Sequence, residues 1–164
     1  MKNIGVKYGV IFGLVLIIAQ TVGNLLEIQA SGSGAGIISW VAVFAVTFYI
    51  IFMACKEFRE EHGDISIGEG LKMGVTCSLI GGIIGGVFSL IYLQLIDTDF
   101  AADLLETMRD QWEEQGLDDA AVAQAEKMFT TMTNPALTIP FSVLFYVVGG
   151  LIKGPIAGAI LRRS

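Results

Sequence analysis

The chain has 164 residues, of which 54% are hydrophobic and 16% charged, and it carries a net charge of −6. Ordinary soluble domains hold about 25% charged residues, so this composition excludes a typical water-soluble domain. The acidic balance excludes a nucleic-acid partner, which would need a basic surface.

The apolar residues gather into four runs, each near the roughly 20 residues that cross a bilayer core. The first covers residues 8–26. Gly5, Gly9 and Gly13 recur through it at every fourth position, and Gln20, Thr21 and Asn24 lie toward its end. Its basic start and the Ile28-Gln29-Ala30 triplet resemble a secretory signal, but the run exceeds the usual apolar core of such a signal, so a retained helix is favoured.

The second run, residues 37–54, carries a bulky stripe of Trp40, Phe44, Phe48 and Phe52, suited to filling a groove or facing lipid. The loop after it reads CKEFREEHGDISIGEGLK. His62 with Glu61, Asp64 and Glu69 offers metal-capable groups, yet a lone histidine without cysteine partners falls short of a metal motif. His62-Gly63-Asp64 reads instead as a turn, with Ser66 or Gly68 opening the third helix.

The third run, residues 71–96, contains the stretch SLIGGIIGGVFS. Glycine costs a helix in water about 1 kcal/mol relative to alanine. In lipid, apolar helices gain nothing by hiding from water, and small residues at four-residue spacing let backbones approach. Gly70, Gly74, Ser78, Gly82 and Gly86 form one such row, and Cys77, Gly81, Gly85 and Ser89 a second. Helix packing is favoured over a pore or hinge, because polar side chains in the spans are few. Gln94 near the end of this run falls at the same level as Gln20 and Asn24, and the three could hydrogen-bond one another as glue between helices.

Residues 97–135 hold ten of the sixteen carboxylates against Arg109 and Lys127, a local charge of −8. Phe100, Leu104, Met108 and Trp112 recur every four residues, and Val122, Phe129 and Met132 share a second face. Gly116 breaks the pattern, Asp118 can cap a second helix, and Leu117 with Val122 can staple it. The segment reads as an acidic two-helix excursion whose stripe is the candidate contact for the bundle or a partner. Carboxylates could hold a divalent cation, but no EF-hand spacing is present.

The fourth run, residues 137–156, leads into Gly150, Gly154 and Gly158, again every fourth residue. Lys153 should snorkel to the headgroups, and Pro155 should kink the helix or end its buried part.

Lys2, Lys7, Lys56, Arg59, Lys72, Lys153, Arg162 and Arg163 all fall on one side if both termini are cytoplasmic. The positive-inside rule therefore puts both termini inside and residues 97–135 outside. Cys55 and Cys77 then lie near the reducing side, which argues against a structural disulfide. VKYGV at residues 6–10 and LKMGV at 71–75 suggest a parallel repeat of two helical hairpins, with chance recurrence as the alternative. No nucleophile elbow, phosphate loop or paired-histidine motif occurs, so no catalytic residue, metal ligand or cofactor is assigned.

The K-x-G start, the inner loop KEFREEHGDISIGEGLKMG and the third span ending in YLQLIDTDF make the chain resemble the DUF4199 family of bacterial inner-membrane proteins over almost its whole length. The resemblance implies four membrane helices and an outer loop between the third and fourth, with no activity attached. The sequence thus predicts an all-α integral membrane four-helix bundle in one domain, residues 1–164, with its acidic excursion outside. It is read as an interaction or assembly component of the bacterial envelope, with the lipid bilayer and either a second copy or another membrane protein as partners. The alternative is a small transporter or channel subunit, and a membrane enzyme stands third.

Overall fold

In the computed structural model, residues 2–25, 34–96, 99–132 and 134–162 are described. They form α1 (Lys2–Leu25), α2 (Gly34–His62), α3 (Ile67–Ile91), α4 (Phe100–Glu114), α5 (Asp119–Met132) and α6 (Pro135–Arg162), with one π-helical turn, Tyr92–Ile96, prolonging α3. Four of them, α1, α2, α3 and α6, are long and apolar enough to cross a membrane. The chain is all-helical over the described residues.

The helices outrun the apolar runs. Span length is set by hydrocarbon, whereas a helix continues wherever residues favour it, and α2 carries Lys56, Glu57, Arg59 and Glu60 on to His62. Its end is a left-handed residue: Gly63 has φ +84° and its N–H donates to the Arg59 carbonyl at 2.7 Å. The Asp64 carboxylate then accepts from the Ile65 N–H, and fully buried Ile65 pins the turn to the core. Ser66 opens α3 through a capping box with Glu69. Asn134 caps α6 by accepting from the Ala136 N–H at 2.9 Å, with Pro135 at the first helical position. Pro155 does not end α6, which runs on to Arg162; membrane helices tolerate proline because neighbouring groups satisfy the freed carbonyl.

The centre of the fold is α3, which packs on α1 and on α6, while α2 closes the other side against the same two helices. A Cβ added at Gly5, Gly9 or Gly13 of α1 would strike Thr76, Ile80 or Ile84 of α3, so these helices run parallel. In return Phe12 and Leu16 of α1 fill the spaces over Gly81 and Gly85. The other row of α3 meets α6 antiparallel: Gly70 lies on Gly158 and Gly154, Gly74 on Gly154 and Gly150, and Ser78 on Gly150. Farther along, Gly82 faces Val143 and Gly86 faces Ile139. Phe12, Ile51, Cys55, Met73 and Cys77 fill the space among the helices with almost no exposure. The two hairpins are not packed alike, because Gly74 receives a backbone whereas Gly9, at the matching place in the suggested repeat, receives an isoleucine.

Among the exposed apolar side chains, Val6, Val10, Leu14, Ile18 and Val22 line one edge of α1, and Leu144, Val148, Ile152, Ile156 and Ile160 one edge of α6. Such an outer surface suits lipid.

The α3–α6 seam should be the most sensitive in the fold. A Cβ at Gly74 would sit 2.5 Å from the Gly150 carbonyl oxygen and 2.8 Å from the Gly154 Cα, both backbone atoms that cannot swing aside. Gly74→Ala should cost about 1–3 kcal/mol. At Gly68 the nearest atom is Ser66 Oγ at 3.9 Å, so Gly68→Ala should be neutral or stabilise by up to about 1 kcal/mol. Thermal unfolding in detergent compares the two; a wild-type transition for Gly74→Ala would contradict the packing.

Candidate functional site

The excursion is a pair of capped helices at the end of the four-helix core opposite the basic loop. Gly116, at φ +75°, terminates α4: its N–H donates to the Glu113 carbonyl and the Leu117 N–H to the Trp112 carbonyl. Asp118 caps α5 by accepting from the Ala121 N–H at 2.8 Å, and Val122 is buried. Arg109 reaches Glu113 and Glu126, linking α4 to α5.

Beneath α4 lies a cleft of about 460 Å³. Leu16, Ala19, Gln20 and Gly23 of α1, Ser39, Trp40 and Val43 of α2, and Phe145 and Tyr146 of α6 form its walls and floor. Leu104, Thr107, Met108 and Gln111 of α4 cover it. The predicted stripe therefore divides. Leu104 and Met108 turn onto the core, Trp112 is half-buried but does not line the cleft, and the side chain of Phe100 falls outside the described residues. Gln20 donates to Ser89 Oγ at 3.0 Å in place of the expected bond with Gln94, which is exposed. Asn24 Oδ1 is buried without a hydrogen-bond partner among the described residues.

A second polar feature lies one helical turn below the cleft floor. Lys153 is only 6% exposed, and its ammonium donates to Thr47 Oγ1 at 2.6 Å. It sits 4.3 Å from the centre of the Phe44 ring and 6.0 Å from that of Phe12. The expectation that it snorkels to the near headgroups fails for a geometric reason. Helical side chains lean toward the N-terminus of their own helix, and α6 runs toward the basic end. The stem therefore carries the ammonium away from that end, to 3.8 Å from the place a Gly149 Cβ would take. Thr47 lies midway along the apolar part of α2, which holds no carboxylate, and among the described residues Lys153 has no ion pair.

At the basic end, Lys7 bonds both oxygens of Glu57 at 3.0 and 2.7 Å, and the Tyr8 hydroxyl donates to Glu57 Oε2 at 2.8 Å. This ties α1 to α2 at the surface, where solvent screens the charge pair. His62 stacks on Phe58 at 4.2 Å. Among the described residues, no three His, Cys, Asp or Glu side chains gather as a metal site.

The sites nominated for packing, Gly9, Gly13, Gly74, Ser78, Gly82, Gly86, Gly150, Gly154 and Gly158, all lie in the α1–α3 and α3–α6 seams. HGDISIGEGLKMG holds a helix stop at Gly63, a turn at Asp64, a capping box of Ser66 with Glu69, and the start of the α6-facing row at Gly70 and Gly74. The cleft was invisible to sequence reasoning, since only the return of α4 over the core creates it.

The Lys153 contact makes a directional prediction. Removing an acceptor leaves a buried donor unsatisfied, whereas replacing the charged donor by an apolar chain of similar shape removes the demand. Thr47→Val should destabilise the fold by about 1–3 kcal/mol, and Lys153→Met by less. Unfolding in detergent checks the order, and the reverse order would contradict the buried contact.

A model of the family described as protein of unknown function (DUF4199) matches residues 7–163, nearly the whole chain. No curated protein and no solved structure matches it.

Proposed function

The chain belongs to the DUF4199 family, and from that premise we propose that it is an interaction or assembly component of the bacterial envelope. In this reading it sits in the inner membrane with the basic end and both termini in the cytoplasm, and α4 and α5 on the far side. The observation that carries the reading is the filled centre: Phe12, Ile51, Cys55, Met73 and Cys77 occupy the space a conduit would need. What the molecule has to offer others lies at its surface, above all in the acidic pair α4 and α5. Its partner is a second copy or another membrane protein.

The alternative, a small transporter or channel subunit, draws on one observation, the ammonium of Lys153 among apolar side chains. Intramembrane charge is costly and commonly marks a pathway.

Two measurements separate these readings. Native mass spectrometry of the assembly extracted from its membrane should give a fixed stoichiometry above one chain; a bare monomer would overturn the assembly role. Proteoliposomes should pass protons and small ions no faster than empty vesicles, and a flux abolished by Lys153→Met would establish the transporter instead. Trp112→Cys, in a chain lacking Cys55 and Cys77, should react with an impermeant reagent only from the noncytoplasmic side, and reaction from the cytoplasm alone would reverse the orientation.

A further inference from the structure

We propose that the cleft beneath α4 binds one acyl chain of a zwitterionic, amine-bearing phospholipid drawn from the adjoining leaflet. The walls come from the second half of α1, the early turns of α2 and the third and fourth turns of α6, within helices long and apolar enough to cross a membrane. A cleft at that level opens toward hydrocarbon, and lipid is the apolar molecule present there at high concentration. Its edge is marked by the Trp40 indole, 63% exposed and packed edge to face on Phe145 at 5.4 Å. Aromatic side chains with a polar handle settle at the headgroup level.

Size and lining fit a single chain. Small-ligand sites span roughly 300–1,000 Å³ and are mostly apolar with a few placed polar groups. Here Leu16, Ala19, Val43 and Met108 supply apolar wall in about 460 Å³, so the second chain of the lipid stays in the bilayer.

The headgroup follows from charge. On α4, Asp103, Asp110 and Glu114 stand three or four residues from Thr107 and Gln111, so an exposed acidic edge runs beside the cover of the cleft. An anionic headgroup would meet like charge there. A zwitterionic one presents its ammonium to these carboxylates, a pairing that acts over roughly 8 Å before salt screens it.

The test uses the full chain in nanodiscs doped with phospholipids that carry a photoactivatable group on one acyl chain. Two probes share that chain and differ in headgroup, phosphatidylethanolamine or phosphatidylglycerol. Mass spectrometry should find the ethanolamine probe on residues 16–23, 39–43 and 104–111 about tenfold more than the glycerol probe, a difference worth about 1.4 kcal/mol. Ala19→Trp should fill the cleft and remove this labelling while leaving that of the lipid-facing edge of α6 unchanged. The exposed triple variant Asp103→Asn, Asp110→Asn, Glu114→Gln, which leaves the packing untouched, should abolish the headgroup preference. Equal labelling by both probes, a preference that survives the triple variant, or cleft labelling that survives Ala19→Trp would each overturn the proposal.

Discussion

Without water between them, two apolar helices gain nothing from mutual burial, so cohesion must come from dispersion at short range and from a few hydrogen bonds. The helix α3 meets this constraint on two faces at once. One face, Gly70 to Gly86, accepts the backbone of α6, and the other, Gly81 and Gly85, accepts Phe12 and Leu16 of α1. The α6 face is glycine on glycine nearest the basic loop and widens to Val143 and Ile139 toward the excursion. The α3–α6 seam is thus tightest at the end where the capping box starts α3 and looser where α4 returns.

That gradient connects packing to function. At the tight end the seam leaves no space for a passage, and Lys7, Tyr8 and Glu57 fasten α1 to α2. Toward the other end α6 presents Val143 and Ile139 to α3 in place of glycine, and the cleft forms where α4 covers α1, α2 and α6 without filling the gap. The acidic excursion is therefore both a solvated surface and a lid. Lys153 lies between the two regimes, held by Thr47 and screened by Phe44. Its single acceptor leaves further N–H donors of the ammonium without a protein hydrogen bond among the described residues.

Much of this was legible in the sequence because periodicity carries it. Every-fourth-residue glycines specify a packing face whatever they pack on, and Gly63, Ser66, Glu69, Gly116 and Asp118 act through their immediate neighbours. Partnering was less legible. Nothing in the spacing of Gly9 and Gly74 says that one meets an isoleucine and the other a backbone. For Lys153 one step joins sequence to structure: the direction of α6 toward the basic end, combined with the lean of helical side chains, sends its stem inward. Gln20 bonded with Ser89 rather than Gln94 because α1 and α3 run parallel and in register, a tertiary fact. The cleft depends on the angle at which α4 leaves α3, which no local pattern encodes.

The fold rests on the contact of α3 with α6, and a double-mutant cycle on Gly74 and Gly154 tests that contact most directly. If the two glycines share one close approach, Gly74→Ala alone already forces the helices apart, and adding Gly154→Ala costs little more. The unfolding free energies should then fall short of additivity by about 1 kcal/mol or more, whereas Gly74→Ala with Gly13→Ala, on separate seams, should add within about 0.5 kcal/mol. Additivity at Gly74 and Gly154 would contradict the account.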